Sequence, residues 1–127
     1  MAPRRAACLT ALAALGCFAV SCAGGANPAN DFCSSYGSAM HGVVSAAHQY
    51  AGDATAFGAV YKSTLDSLPA VRDKAPDDTL RAAFDRSMFT LSVFSNDADL
   101  AGFISRVDFA NDAVIVACND YGVNVRV

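Results

Sequence analysis

DFCSSYGSAMHGVVSAAHQYA, residues 31–51, is the stretch that decides the fold. Within it Cys33, Tyr36, Met40, Val43, Ala47 and Tyr50 recur at alternating steps of three and four. At 3.6 residues per turn those steps line the six side chains along one side of a helix, and an apolar stripe of that kind must be covered by other elements. Asn30 or Asp31 can cap its start, because a short polar side chain accepts from the backbone donors left unpaired there. Gly52-Asp53 ends the helix and caps a successor.

Downstream the same period continues. After Asp53, the residues Phe57, Val60, Tyr61, Thr64, Leu65 and Leu68 share one side of a second helix, which Pro69 kinks or ends. Residues 70–76 then form a turn or a short extra helical turn. Asp77 or Asp78 caps a third helix running to about Phe94, with Leu80, Phe84, Met88, Leu91 and Phe94 facing one way. Phe89 and Val93 widen that face, so this helix is expected to be the most buried. Asp77 and Arg81 stand four apart on its polar side, a spacing that suits an ion pair. The loop Ser95-Asn96-Asp97 leads to a short helix bearing Leu100, Phe103, Ile104 and Val107.

The last segment, FANDAVIVACNDYGV at residues 109–123, reads two ways. As a helix, its stripe is Val107, Ala110, Val114, Ala117, Cys118 and Tyr121, ended by Gly122. As a hairpin, VIVAC pairs with VNVRV across NDYG. A helix agrees better with an otherwise helical chain. The expected fold is an all-α bundle of four to five short helices, with a C-terminal β-hairpin as the alternative to the last helix.

Upstream of residue 31 the composition changes. Met1-Ala2-Pro3-Arg4-Arg5 is followed by an uncharged run, AACLTALAALGCFAV, from Ala6 to Val20. A basic start and an apolar run of about fifteen residues, short of the roughly twenty that span a bilayer, fit a cleaved export signal over residues 1–21. The end of the run, Ala19-Val20-Ser21-Cys22, resembles the lipobox of bacterial lipoproteins. The resemblance implies cleavage before Cys22, a diacylglyceryl group on its thiol, acyl chains such as palmitate, and anchoring to the extracytoplasmic face of the cell membrane. Residues 22–30, CAGGANPAN, then suit a flexible lipidated tether ahead of a helical domain at 31–127. Ala14-Leu15-Gly16-Cys17 is a competing box that would leave Phe18 to Val20 beside the anchor, and an ordinary signal cut near Ala23 is the other alternative. Arg4-Arg5 also matches part of a twin-arginine signal, but Ala6-Ala7-Cys8 fits that pattern poorly and the general secretory route is preferred.

Removing residues 1–21 from the 127 leaves 106, enough for one small core. Losing Arg4 and Arg5 takes the formal net charge from −3 to −5, which argues against nucleic acid as a partner. Every acidic residue is Asp, a compositional habit that carries no chemistry by itself. Cys8 and Cys17 leave with the signal and Cys22 takes the lipid, so Cys33 and Cys118 remain to pair in an exported domain, with two buried free thiols as the alternative.

With that layout the mature chain resembles small helical lipoproteins and secreted proteins of actinobacteria. The resemblance rests on Asp31-Phe32-Cys33 opening the first helix and Ala117-Cys118 near the end of the last. It implies a disulfide-closed helical bundle and no shared activity. That class commonly puts Gly directly after the final cysteine, whereas Asn119-Asp120-Tyr121 intervenes here before Gly122.

Candidate chemistry is sparse. His41 and His48 stand seven apart, roughly 10 Å along a helix, too far to share one metal. The plain reading makes them flanks of the stripe; the sharper one makes either an axial haem ligand beside Tyr36, Met40 or Tyr50. Asp97, Asp99, Gly102, Ile104 and Asp108 fall at places one, three, six, eight and twelve of a calcium loop, but place five is Ala101 and place twelve lacks the closing Glu. Capping accounts for these aspartates more simply. The chain has no Gly-x-Ser-x-Gly elbow, no phosphate loop and no Glu for acid/base work, so no enzyme, cofactor or metal site is expected. Tyr36, Tyr50, Phe57, Tyr61, Phe84, Phe89, Phe94 and Phe103 fill the core on the plain reading. The expected function is a noncatalytic, membrane-anchored envelope lipoprotein acting as a protein-interaction module, with a carrier of an apolar small molecule or haem in the bundle core as the alternative.

Overall fold

A computed structural model describes residues 27–93 and 99–127 of the chain. Residues 1–26, where an export signal, Cys17, Cys22 and most of a tether are expected, lie outside the described residues, as do Phe94 and Asp97. Two compact units are distinguished, Met1–Asn30 and Asp31–Val127. Of the first, residues 27–30 are described, and Asn27 Oδ1 accepts from the Ala29 amide at 3.0 Å. The described part of the second is helical throughout, with no strand among the described residues.

Five α-helices follow one another: α1 (Asn30–Gln49), α2 (Ala54–Arg72), α3 (Asp78–Val93), α4 (Leu100–Arg106) and α5 (Ala113–Asp120), with a 3-10 turn at Phe109–Asn111. The all-α expectation therefore holds, and the hairpin alternative is overturned. VIVAC lies inside α5, and Gly122 at φ 82° ends it. The Val123 amide reaches the Cys118 carbonyl at 2.9 Å and the Gly122 amide reaches Asn119 at 2.9 Å. This paired closure needs a left-handed residue, and glycine enters that region without a Cβ penalty.

Asp53 caps α2 through the Ala56 amide at 2.9 Å. Pro69 does not end that helix; α2 runs through it to Arg72. One proline near the C-terminus removes a single intrahelical donor, and the next turn closes regardless, with Asp73 N on the Pro69 carbonyl at 3.2 Å. Asp77 caps α3 through the Leu80 amide at 3.0 Å. Asp77 and Arg81 make no direct ion pair, although the Arg81 charge contributes to holding the Asp77 carboxyl below its ordinary value. Arg81 turns instead to Asp78 at 2.6 Å and to the Ala75 carbonyl at 3.1 Å.

The most buried helix is α1, not α3. Phe32, Cys33, Tyr36, Gly37, Met40, Val43, Ala46 and Ala47 are all buried along it. On α3 the buried stripe is Leu80, Ala83, Phe84, Ser87 and Leu91, while Phe89 is 71% exposed and Val93 55%. Phe84 centres an aromatic group with Phe32 and Tyr36, ring centroids 6.2 and 6.3 Å apart, the second edge-on at 83°. From α2, Phe57 and Tyr61 meet with ring centroids 5.8 Å apart and planes tilted by 41°, and the Tyr61 hydroxyl donates to the Leu91 carbonyl at 2.9 Å. At the surface, Arg72 binds both oxygens of Asp85, at 2.8 and 2.9 Å, and ties α2 to α3.

Helix α5 packs chiefly on α3. Fully buried Cys33 and Cys118 are joined, with their α-carbons 6.0 Å apart and a separation of 85 positions in sequence. The chain after α5 turns back over α1, so that Val125 Cγ1 stands 2.5 Å from where a side chain on Gly37 would begin.

Candidate functional site

Asp112 is the point at which the elements converge, and the sequence reading did not single it out. Placed just before α5, it accepts from the Val114 amide at 2.8 Å and the Ile115 amide at 3.3 Å, serving as the N-cap. Its carboxylate also accepts from the Tyr36 hydroxyl on α1 at 2.9 Å and the Ser87 hydroxyl on α3 at 3.0 Å. Four donors from three elements thus meet on one carboxylate. Burial, and then the neighbouring Asp112 charge, push the Tyr36 phenol far above its ordinary range, so it stays a neutral donor. At the other end of α5 the Tyr121 hydroxyl donates to Asp77, which holds that carboxyl below its ordinary value. The helix is therefore clamped at both ends and by the disulfide between them.

Ser87 and Asp112 also form part of the wall of a pocket of about 330 Å³ between the second half of α3 and the α4 region. Leu91, Phe103, Val107 and Phe109 give it a mainly apolar lining, and Arg86 stands at its edge. A second recess of about 390 Å³ lies under the C-terminal segment, bordered by Val44, Ile104, Phe109, Ile115 and Val125. It is the more polar of the two.

The residues singled out from sequence fall in different places. Cys33 and Cys118 form the bond just described. His41 and His48 are both exposed on α1, and no histidine lines either pocket. The arrangement brings neither imidazole into the core where haem would sit between helices. The calcium loop is not built: Gly102 and buried Ile104 lie inside α4, where a loop would have to wrap a cation. Asp108 spends one oxygen on the Ala110 amide at 3.0 Å and the other on the Asn111 side-chain amide at 2.9 Å. Asp99 packs its carboxylate against Gly102 and lies 3.5 Å from Arg106. Among the described residues no group of three His, Cys, Asp or Glu side chains is placed to hold a metal. Of the aromatics, Tyr36, Phe57, Tyr61 and Phe84 are buried, Tyr50 and Phe103 half-buried, and Phe89 exposed. Among the described residues no helix is long and apolar enough to cross a membrane.

No family of proteins has a model that matches the chain, and comparison with curated proteins and with solved structures likewise found no match.

Proposed function

We propose that the chain is a noncatalytic lipoprotein of the cell envelope, cut before Cys22, lipidated there, and held at the extracytoplasmic face of the membrane with its helical domain serving as a protein-interaction module. The observation that carries this reading is the buried Cys33–Cys118 bond. Structural disulfides belong to oxidising compartments, which agrees with an export signal. The bond also consumes both cysteines of the domain, which leaves Cys22 for the lipid. Intact-mass analysis of the membrane-extracted protein is expected to show a diacylglyceryl-sized addition on a chain beginning at Cys22, lost in Cys22→Ser. An unmodified chain beginning elsewhere removes the anchor.

For the interaction surface, Phe89 and Val93 stand one turn apart on α3 and are largely in water. An exposed aromatic beside a β-branched residue is the kind of anchor that interface centres use. Phe89→Ala is expected to abolish retention of a membrane-derived partner while leaving the melting temperature within about 2 °C, since little packing is lost. A second reading, a carrier of a small apolar molecule, is favoured by the pocket beside Leu91 and Phe103.

A further inference from the structure

The pocket between α3 and α4 has one feature that an incidental surface dent lacks. Its polar side chains divide into satisfied and unsatisfied groups. Asp112 already receives Tyr36, Ser87 and two amides, and Asp108 receives Ala110 and Asn111, so the carboxylate oxygens are taken up by the protein's own donors. Ser87, 4% exposed, donates its hydroxyl hydrogen bond to Asp112. Arg86 differs: it is exposed at the edge, and its guanidinium has no hydrogen-bond or ion-pair partner among the described residues. Behind it lie Leu91, Phe103, Val107 and Phe109.

A volume of about 330 Å³ is at the small end of the range for sites that enclose low-molecular-weight ligands. Apolar walls favour an apolar body. The planar guanidinium fork, always charged, matches a carboxylate through two parallel hydrogen bonds, and those bonds are stronger than neutral ones. We propose that this pocket binds a small monocarboxylate with an aliphatic or aromatic body, the body against Leu91, Phe103, Val107 and Phe109 and the carboxylate on Arg86. The inference rests on the carrier reading and is independent of the anchor at Cys22.

Octanoate and its methyl ester are suitable probes, titrated calorimetrically into the exported, oxidised protein. Octanoate is expected to bind, and Arg86→Gln to weaken it about tenfold or more, the loss of one charged hydrogen-bonded pair, while the ester's weaker binding stays unchanged. Val107→Trp fills the space and is expected to abolish both. Should that variant fail to fold, octanoate-induced NMR shifts in the wild type confined to Leu91, Phe103, Val107 and Phe109 place the probe; shifts elsewhere overturn the site. Equal octanoate affinity in wild type and Arg86→Gln overturns the carboxylate assignment while the carrier reading stands. Absence of binding by either probe removes both.

Discussion

Replacing Cys33 and Cys118 together by alanine removes the only covalent closure of the domain without leaving a lone thiol. The two residues are 85 apart in sequence, and a loop of that length, once cross-linked, loses unfolded-state entropy corresponding to about 4.6 kcal/mol of stability at 25 °C. Both side chains are also fully buried. Losing a sulfur from each resembles deleting a buried methylene-sized group, about 1 kcal/mol apiece. The combined loss, about 6.6 kcal/mol, is comparable to the roughly 5–15 kcal/mol that holds a typical small domain together. At roughly 4 °C or more per kcal/mol for a chain of about 100 residues, the melting temperature should fall by roughly 20 °C or more. Circular dichroism melts of the oxidised protein, the reduced protein and the double alanine variant separate the two contributions, since reduction opens the bond but keeps the sulfurs. The reduced protein should account for most of the fall. Melting of both altered forms within about 5 °C of the oxidised protein would refute the reasoning, because α5 would then be held by its packing and its two polar clamps alone.

Asp112→Ala should cost about 2–4 kcal/mol in urea unfolding, the sum of a lost N-cap and a buried Tyr36 hydroxyl left without its acceptor, and pairing it with Tyr36→Phe should recover part of that. Gly37→Ala should destabilise by about 1 kcal/mol despite alanine's better helix propensity, because the new methyl meets Val125 at 2.5 Å; adding Val125→Ala should reverse the loss, and a single variant more stable than wild type would show that the C-terminal segment does not lie on α1. Asp77 titrates below its ordinary value of 3.8, chiefly because Tyr121 donates to it, so its contribution is complete above that value and disappears as pH falls through the lower folded value; Tyr121→Phe should flatten the acid side of a stability–pH curve. Burial raises Tyr61 from 10.0 to about 12, so its contribution is complete below pH 10 and is lost as pH rises through about 12, a loss that alkaline melts of Tyr61→Phe should show to a lesser degree.

Large apolar residues at helical spacing made α1, α2 and α4 legible, because Tyr36, Met40, Phe57, Tyr61 and Ile104 bury where their period places them. On α3 the period placed Leu80, Phe84 and Leu91 correctly but failed on the widening by Phe89 and Val93, for a physical reason. The helix's inward stripe includes Ala83 and Ser87, small side chains on the face that meets α5, and a reading weighted by hydrophobic bulk assigns that face to Phe89 instead. Close approach of two helices favours small residues at the contact, so the position that packs best is the one with least hydrophobic signal.

The same kind of blindness hid Asp112. A continuous stripe from Val107 to Tyr121 accommodates one helix, yet two aspartates interrupt it. Asp108 begins a 3-10 turn and Asp112 begins α5, each accepting an amide two residues ahead. That much was available locally, since an aspartate directly before Ala113-Val114-Ile115-Val116 is a helix-start signal in its own right. No local pattern could tell that this cap would also receive Tyr36 and Ser87, which lie 76 and 25 residues away. Convergence of that kind depends on how helices pack, and here the packing puts a capping carboxylate, already satisfied, in the wall of the apolar pocket. The consequence for function is specific: with the aspartates taken up by the protein's own donors, Arg86 is the charge at that pocket with bonding capacity left for a ligand.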